Sequence, residues 1–286
     1  MYKISGLAIF ILLAACGESQ MGGNKPTIEF KINESIESAA SNSSVEFQKD
    51  CMLGICLYEY SLSFAERQRA VLTMNPHSST SLHFDDAVAV TLGTYNSDII
   101  NDANITLGGV NQDSSHSLAM DYFRKLANRL LDQGWHRFIM QNEARISGDQ
   151  AKKFDNPRSV LGKPIGTGPW SDPTLVLTQE EWLAMPMFSN WYFYKDGIYL
   201  TLFVQREKSE TAPEEQGSYL FTLTVESESE FYKGYFESED REKWTTLLPA
   251  ELKRMAQERA QTEARLKQMG IAIDENYQDP PFKALE

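Results

Sequence analysis

The chain has 286 residues, 42% of them apolar, with 27 basic side chains against 40 acidic ones and a formal net charge of −13. That apolar share is enough to build a core, so the chain as a whole is not disordered, and its length suits one large domain or two small ones. The acidic excess speaks against nucleic acid, which needs clustered Lys and Arg, and favours a basic partner where charge decides recognition.

The N-terminus comes first in chain order. Lys3 precedes an apolar run from Gly6 to Ala15. The run is shorter than the roughly 20 residues a helix needs to cross a bilayer. A charged start, a short apolar stretch and small residues at its end describe a secretory signal. Within it, Leu13-Ala14-Ala15-Cys16 resembles the lipobox of bacterial lipoproteins. The resemblance implies cleavage before Cys16, diacylation of its thiol and acylation of the new amino group. Several acyl chains make anchoring stable, each buried methylene contributing about 0.8 kcal/mol. Position 17 is Gly rather than the Asp that tends to retain enteric lipoproteins at the inner membrane. The resemblance therefore implies the outer membrane, facing the periplasm. Residues 1–15 read as signal peptide and 16–26 as a lipidated tether. Residues 27–286 read as a single α+β domain, divisible into a strand-rich part (27–112) and an α+β part (113–286).

The chain has three cysteines. With Cys16 acylated, Cys51 and Cys56 remain, and Gly54 between them can supply a turn. A disulfide is expected in an oxidising compartment. A redox-active pair normally has two intervening residues and a helix start behind it, which this pair lacks.

Residues 27–32 alternate polar and apolar and predict a strand. Residues 33–44, rich in Ser, Asn, Glu and Ala, read as a loop or a frayed helix. Strands are expected at 57–64, 70–74 and 87–92, with an exposed loop at 75–81. Leu118, Tyr122, Phe123, Leu126, Leu130 and Leu131 fall at helical spacing within 115–133. Asp113, Ser114 and Ser115 offer caps, and Gly134 stands where a left-handed residue ends a helix. Trp135 then opens a strand-like run to residue 141. Residues 147–173 are rich in Gly and Pro, so little regular structure is expected, and a loop of such length is commonly functional or mobile.

Thr178 and Glu181 form a capping-box pattern, which makes Glu180 and Glu181 helix-start residues. Residues 191–194 and 198–204 flank Asp196-Gly197, a hairpin signature. Tyr219, Phe221, Leu223 and Val225 alternate along the next strand of an antiparallel meander. Pro249 is expected to open a long charged helix to Met269. Leu252, Met255, Leu266 and Met269 mark its thin stripe, with Ala256, Ala260 and Ala264 between, so the helix should project or lie on the surface. Residues 277–282 read as an extended tail. The expected fold is α+β: an antiparallel sheet with a packed amphipathic helix and a long charged C-terminal helix.

Catalytic signatures are not found in the sequence. There is no Ser between glycines at the spacing of a nucleophile elbow, and no pair of His four apart on a helix. Gly166-Thr167-Gly168 runs into Pro169 and Trp170 rather than a helix start. His77 and His83, with Asp85 and Asp86, come nearest to a metal set but match no ligand motif, and His136 reads as structural. No catalytic residue, metal or cofactor is expected.

Two features suit recognition of a protein partner. One is the aromatic set Trp170, Trp182, Trp191, Tyr192, Tyr194 and Tyr199, about half of which alternation assigns to the core. Trp170, in the long loop, is the partner-binding candidate among them. The other is Glu226, Glu228 and Glu230, which share one face if the segment is extended. The whole design comprises a lipobox, a polar tether, an acidic α+β domain and a helix ending Leu131-Asp132-Gln133-Gly134-Trp135 before a strand. It is similar to periplasmic immunity lipoproteins of interbacterial toxin systems such as type VI secretion. That resemblance implies binding and neutralising a toxin, with no catalytic residues. A structural or assembly lipoprotein of the outer membrane, and after it an envelope enzyme, are the alternatives.

Overall fold

A computed structural model describes residues 25–64, 68–75, 81–154, 159–160, 163–164 and 171–283. The signal segment, Cys16, His77, Trp170 and the Gly166–Gly168 run lie outside the described residues. The protein has mixed helix and strand, with a large, mostly antiparallel sheet and a long C-terminal helix.

The N-terminal half supplies β1 (Thr27–Phe30), α1 (Ile36–Asn42), β2 (Gln48–Met52), β3 (Ile55–Ser61), β4 (Ala70–Met74), β5 (Leu82–Tyr95) and β6 (Ile100–Leu107). Then come β7 (Ser114–Ser115), α2 (His116–Asp132), β8 (His136–Arg137), and β9 (Ser159–Val160) paired with β10 (Lys163–Pro164). The C-terminal part holds α3 (Gln179–Ala184), β11 (Phe188–Lys195), β12 (Ile198–Lys208), β13 (Gln216–Ser227), α4 (Glu228–Lys233) and α5 (Trp244–Gln268).

The main sheet runs β1-β4-β5-β6-β13-β12-β11-β8, with β3 on β5, β2 on β3 and β7 on β13. Because β6 pairs with β13, one sheet runs through both the 27–112 and 113–286 parts. Ala87 pairs with Ala70 of β4 and Leu107 of β6, while residues 89–94 of β5 pair with both β3 and β6. Thus β4 and β3 lie end to end along the same edge of β5. β1 joins β4 in parallel, the exception to an otherwise antiparallel sheet.

Alternation assigns the two faces. Phe221, Leu223 and Val225 of β13, Leu200 and Leu202 of β12, and Trp191 and Phe193 of β11 point into one core. α2 lies on that face through Ala119, Phe123, Leu126, Ala127 and Leu130, with Trp182 of α3 beside it. Ser115 caps α2, its side chain accepting from the Leu118 amide, and Gly134 at φ 80° follows its end. Leu118, expected inside, is exposed. The opposite face carries a second core of Phe138, Tyr199, Phe231, Tyr232, Trp244 and Leu248 beneath α4 and α5.

Several expectations are corrected. The run after Trp135 pairs over only two residues, His136 and Arg137, against Tyr194 and Phe193. The 147–173 stretch contains a 3-10 turn at Gly148–Lys153 and the β9–β10 ladder. α5 begins at Trp244, leaving Pro249 inside the helix. Packing of both Trp244 and Leu248 into the second core draws the helix start back past the proline, at the loss of one helical hydrogen bond. Nor does α5 project. Its inward stripe is Leu248, Met255, Arg259, Glu263 and Leu266, and the alanines expected there are exposed.

The charged members of that stripe are fully engaged. Arg259 donates to the carbonyls of Ile139, Met140 and Glu143 and to Asp279 at 2.6 Å. Arg145 grips Glu263 at two points, 2.8 and 2.7 Å. Burial pushes the Glu263 carboxyl up, but this grip outweighs it and holds the group below its ordinary value.

Candidate binding site

The three glutamates expected on one strand face are split by a change of backbone. β13 ends at Ser227, whose hydroxyl accepts from the Glu230 amide and so caps α4. Only Glu226 belongs to the strand. Glu228 turns inward, 8% exposed, and accepts the Lys283 backbone N–H at 2.9 Å, which ties down the C-terminal tail. Glu230 lies in α4 with Lys233 3.5 Å away.

Glu226 has a neighbour that the sequence reading missed. It lies opposite Asp102 of β6, on the sheet face away from the first core. The Tyr95 hydroxyl donates to Asp102, and the Gly93 backbone N–H supports it. A side chain at Gly93 would collide with the Asp102 carboxylate and push it from its present position. Burial raises the Asp102 carboxyl above its ordinary value despite both hydrogen bonds. At Glu226 burial comes first, then the charges of Asp102 and Glu230, and together they push its carboxyl up to about 7. Three carboxylates from β6, β13 and α4 thus converge on a part-exposed spot, with Tyr95 of β5 beside them.

The hairpin β2–β3 lies next to this spot, since Ile55 pairs with Tyr95 and Leu57 with Gly93. Cys51 and Cys56 form the expected disulfide across it. Leu53 at φ 50° and Gly54 at φ 83° make the turn, the left-handed pair a tight hairpin wants. The Gly54 carbonyl accepts from the Asn96 amide at 2.7 Å, and a Cβ on Gly54 would run into the Asn96 side chain. Beyond the disulfide the side chains face solvent: Met52 is 73%, Leu53 95% and Ile55 44% exposed.

The remaining candidates have other roles. Trp182, Trp191 and Tyr199 are buried, while Tyr192 and Tyr194 pack at the rim of the second core. His83 is exposed with Nδ1 3.0 Å from the Thr73 hydroxyl, and Asp86 accepts from Tyr122 at 2.5 Å, so the two are not assembled around a common centre. His136 is exposed. Thr178 and Glu181 cap α3 reciprocally, as expected.

Two buried polar groups had no sequence signal. His116 accepts the Tyr219 hydroxyl on Nδ1 at 2.6 Å and donates from Nε2 to the Pro213 carbonyl at 3.0 Å; Trp182 in turn donates to Tyr219 at 3.1 Å. The two ends of the long loop meet at Asp172, which accepts from Arg137 at 3.1 Å and from the Gly148 amide at 2.7 Å.

No protein-family model, curated protein or solved structure matches this chain.

Proposed function

We propose that this chain is an acylated lipoprotein, anchored through Cys16 at the outer membrane and facing the periplasm, whose domain binds a basic protein partner. The observation that carries the binding reading is the carboxylate cluster of Asp102, Glu226 and Glu230. Glu226 is held among like charges, with its carboxyl pushed up to about 7. Such a group is costly to ionise in the free protein. A Lys or Arg side chain of a partner placed over it relieves the repulsion and gains a charge-assisted hydrogen bond. The surrounding acidic charge speeds encounter with a basic protein. The likeness in design to immunity lipoproteins makes a toxin the first partner to try.

The test uses mature protein with Cys16→Ser, immobilised and offered the products of the neighbouring genes. One product should bind, with an association rate that falls as salt rises. In a variant carrying Asp102→Lys and Glu226→Lys that rate should drop about tenfold at low salt. Association that ignores both salt and the double substitution refutes the cluster as the contact. Turnover of an envelope substrate without any bound protein refutes the binding reading itself. Fatty-acid labelling that marks the wild type and spares Cys16→Ser tests the anchor separately.

A further inference from the structure

We propose that the tip of the disulfide-bridged β2–β3 hairpin inserts into the lipid leaflet that holds the acyl anchor, through Met52, Leu53 and Ile55. The inference rests on acylation of Cys16 and adds a second, non-covalent membrane contact to it. Three observations support it. The first is chemical. Residues 51–57, Cys-Met-Leu-Gly-Ile-Cys-Leu, carry no charge in a chain of net charge −13. Met52 and Leu53 at the turn are 73% and 95% exposed. Large apolar side chains gathered at a protruding turn on an otherwise acidic protein mark a membrane or partner contact.

The second observation is rigidity. The disulfide, the left-handed turn at Leu53-Gly54 and the Asn96-to-Gly54 hydrogen bond fix the tip before it meets lipid. Little conformational freedom is then lost on insertion.

The third is where the anchored chain enters the fold, and it decides for lipid. β1 runs from Thr27 beside Val71 to Phe30 beside Met74, so it heads toward the Leu82 end of β5. The hairpin lies at the other end, where Ile55 pairs with Tyr95. The N-terminal end of β1 therefore points toward the hairpin end of the sheet. Lys25 is nine residues on from Cys16, and that length spans at most about 30 Å. The eight steps of β5 from Ala87 to Tyr95 rise about 27 Å. A tether of that length confines the acylated Cys16 to within about 30 Å of Lys25, a distance comparable to the reach of the hairpin, so tip and acyl chains are close enough to share one leaflet.

The experiment uses the full acylated protein reconstituted into phosphatidylcholine vesicles whose acyl chains are brominated near the headgroup. Tryptophan is placed at the tip by Met52→Trp and at the far end of the same strand by Gln48→Trp, each read over the wild-type signal. Emission from position 52 should be quenched at least about twofold more than from position 48, since only the tip enters the acyl region. Leu53→Asn, added to Met52→Trp, should bring that quenching down; Asn tolerates the left-handed turn, so the hairpin survives. Equal quenching at both positions, in protein that carries fatty acid on Cys16 and co-floats with the vesicles, overturns the insertion while the anchor stands. Protein without fatty acid that does not float overturns the anchor and the insertion with it. Loss of a protein partner in Leu53→Asn, with quenching unchanged, assigns the tip to that partner and also overturns the insertion.

Discussion

Replacing Glu226 by Gln should make the protein more stable above neutral pH, by an amount that depends on pH in a calculable way. The carboxyl is raised from 4.5 to about 7 by burial and by Asp102 and Glu230. A raised carboxyl binds its proton more tightly in the folded than in the unfolded chain. The stability this gives is complete below pH 4.5 and is lost as pH rises through 7. Linkage puts the wild-type loss below about 1 kcal/mol at pH 5 and near 3 kcal/mol at pH 8. Glu226 is part-exposed, and screening lowers the upper figure to about 2 kcal/mol. Gln is neutral throughout, and its amide can donate to Asp102 or Glu230. The assay is urea unfolding of both proteins at pH 5, 6.5 and 8. The advantage of Glu226→Gln should widen by about 1 to 2 kcal/mol from pH 5 to 8. A gap that stays constant refutes the raised carboxyl, and with it the argument that a cation is drawn to this spot.

Other substitutions test the fold around the site. Cys51→Ser with Cys56→Ser should cost about 2 kcal/mol in urea unfolding, the entropy of a short closed loop. Reductant should bring wild type to the same midpoint. Arg145→Met leaves Glu263 without its two-point partner and should cost about 3 kcal/mol. Adding Glu263→Met should restore most of that loss, which a double-mutant cycle reads directly. His116→Phe removes the acceptor for Tyr219 and the donor for Pro213, and should cost about 2 kcal/mol in thermal unfolding.

What the sequence made legible were features set by local chemistry. Asp196-Gly197 announced its hairpin, Thr178 and Glu181 their capping box, and Gly134 the end of α2. The missed features depend on distant partners. β6 was hidden because Asn101, Asp102 and Asn104 break its alternation; the neighbouring strands on both sides supply what the side chains do not. β2 is exposed along its length and carries no buried pattern. The inward stripe of α5 passes through Arg259 and Glu263, which read as surface until Glu143, Arg145 and Asp279 are placed beside them. The glutamates at 226, 228 and 230 followed a strand period, yet Ser227 three residues before Glu230 is a helix-start pattern that could have warned of the turn into α4. Asp102, the partner that gives Glu226 its character, is 124 positions away in the chain and no local pattern points to it.

The parallel pairing of β1 has a mechanical side. Were the proposed anchor to hold the N-terminus while a partner pulls elsewhere, tension would enter at Lys25, and a pull opposite to the direction of β1 would run along that strand's axis. Its ladder with β4, Thr27 on Val71 through Phe30 on Met74, then bears the load lengthwise. Loaded that way, all the hydrogen bonds of the ladder share the force and yield together; pulled sideways, they would open one after another. Ile28 and Phe30, buried beneath the strand, must leave the core in the same step. Under the proposed anchoring, these four residues at the margin of the sheet would serve as a tension-bearing clasp between anchor and body of the protein.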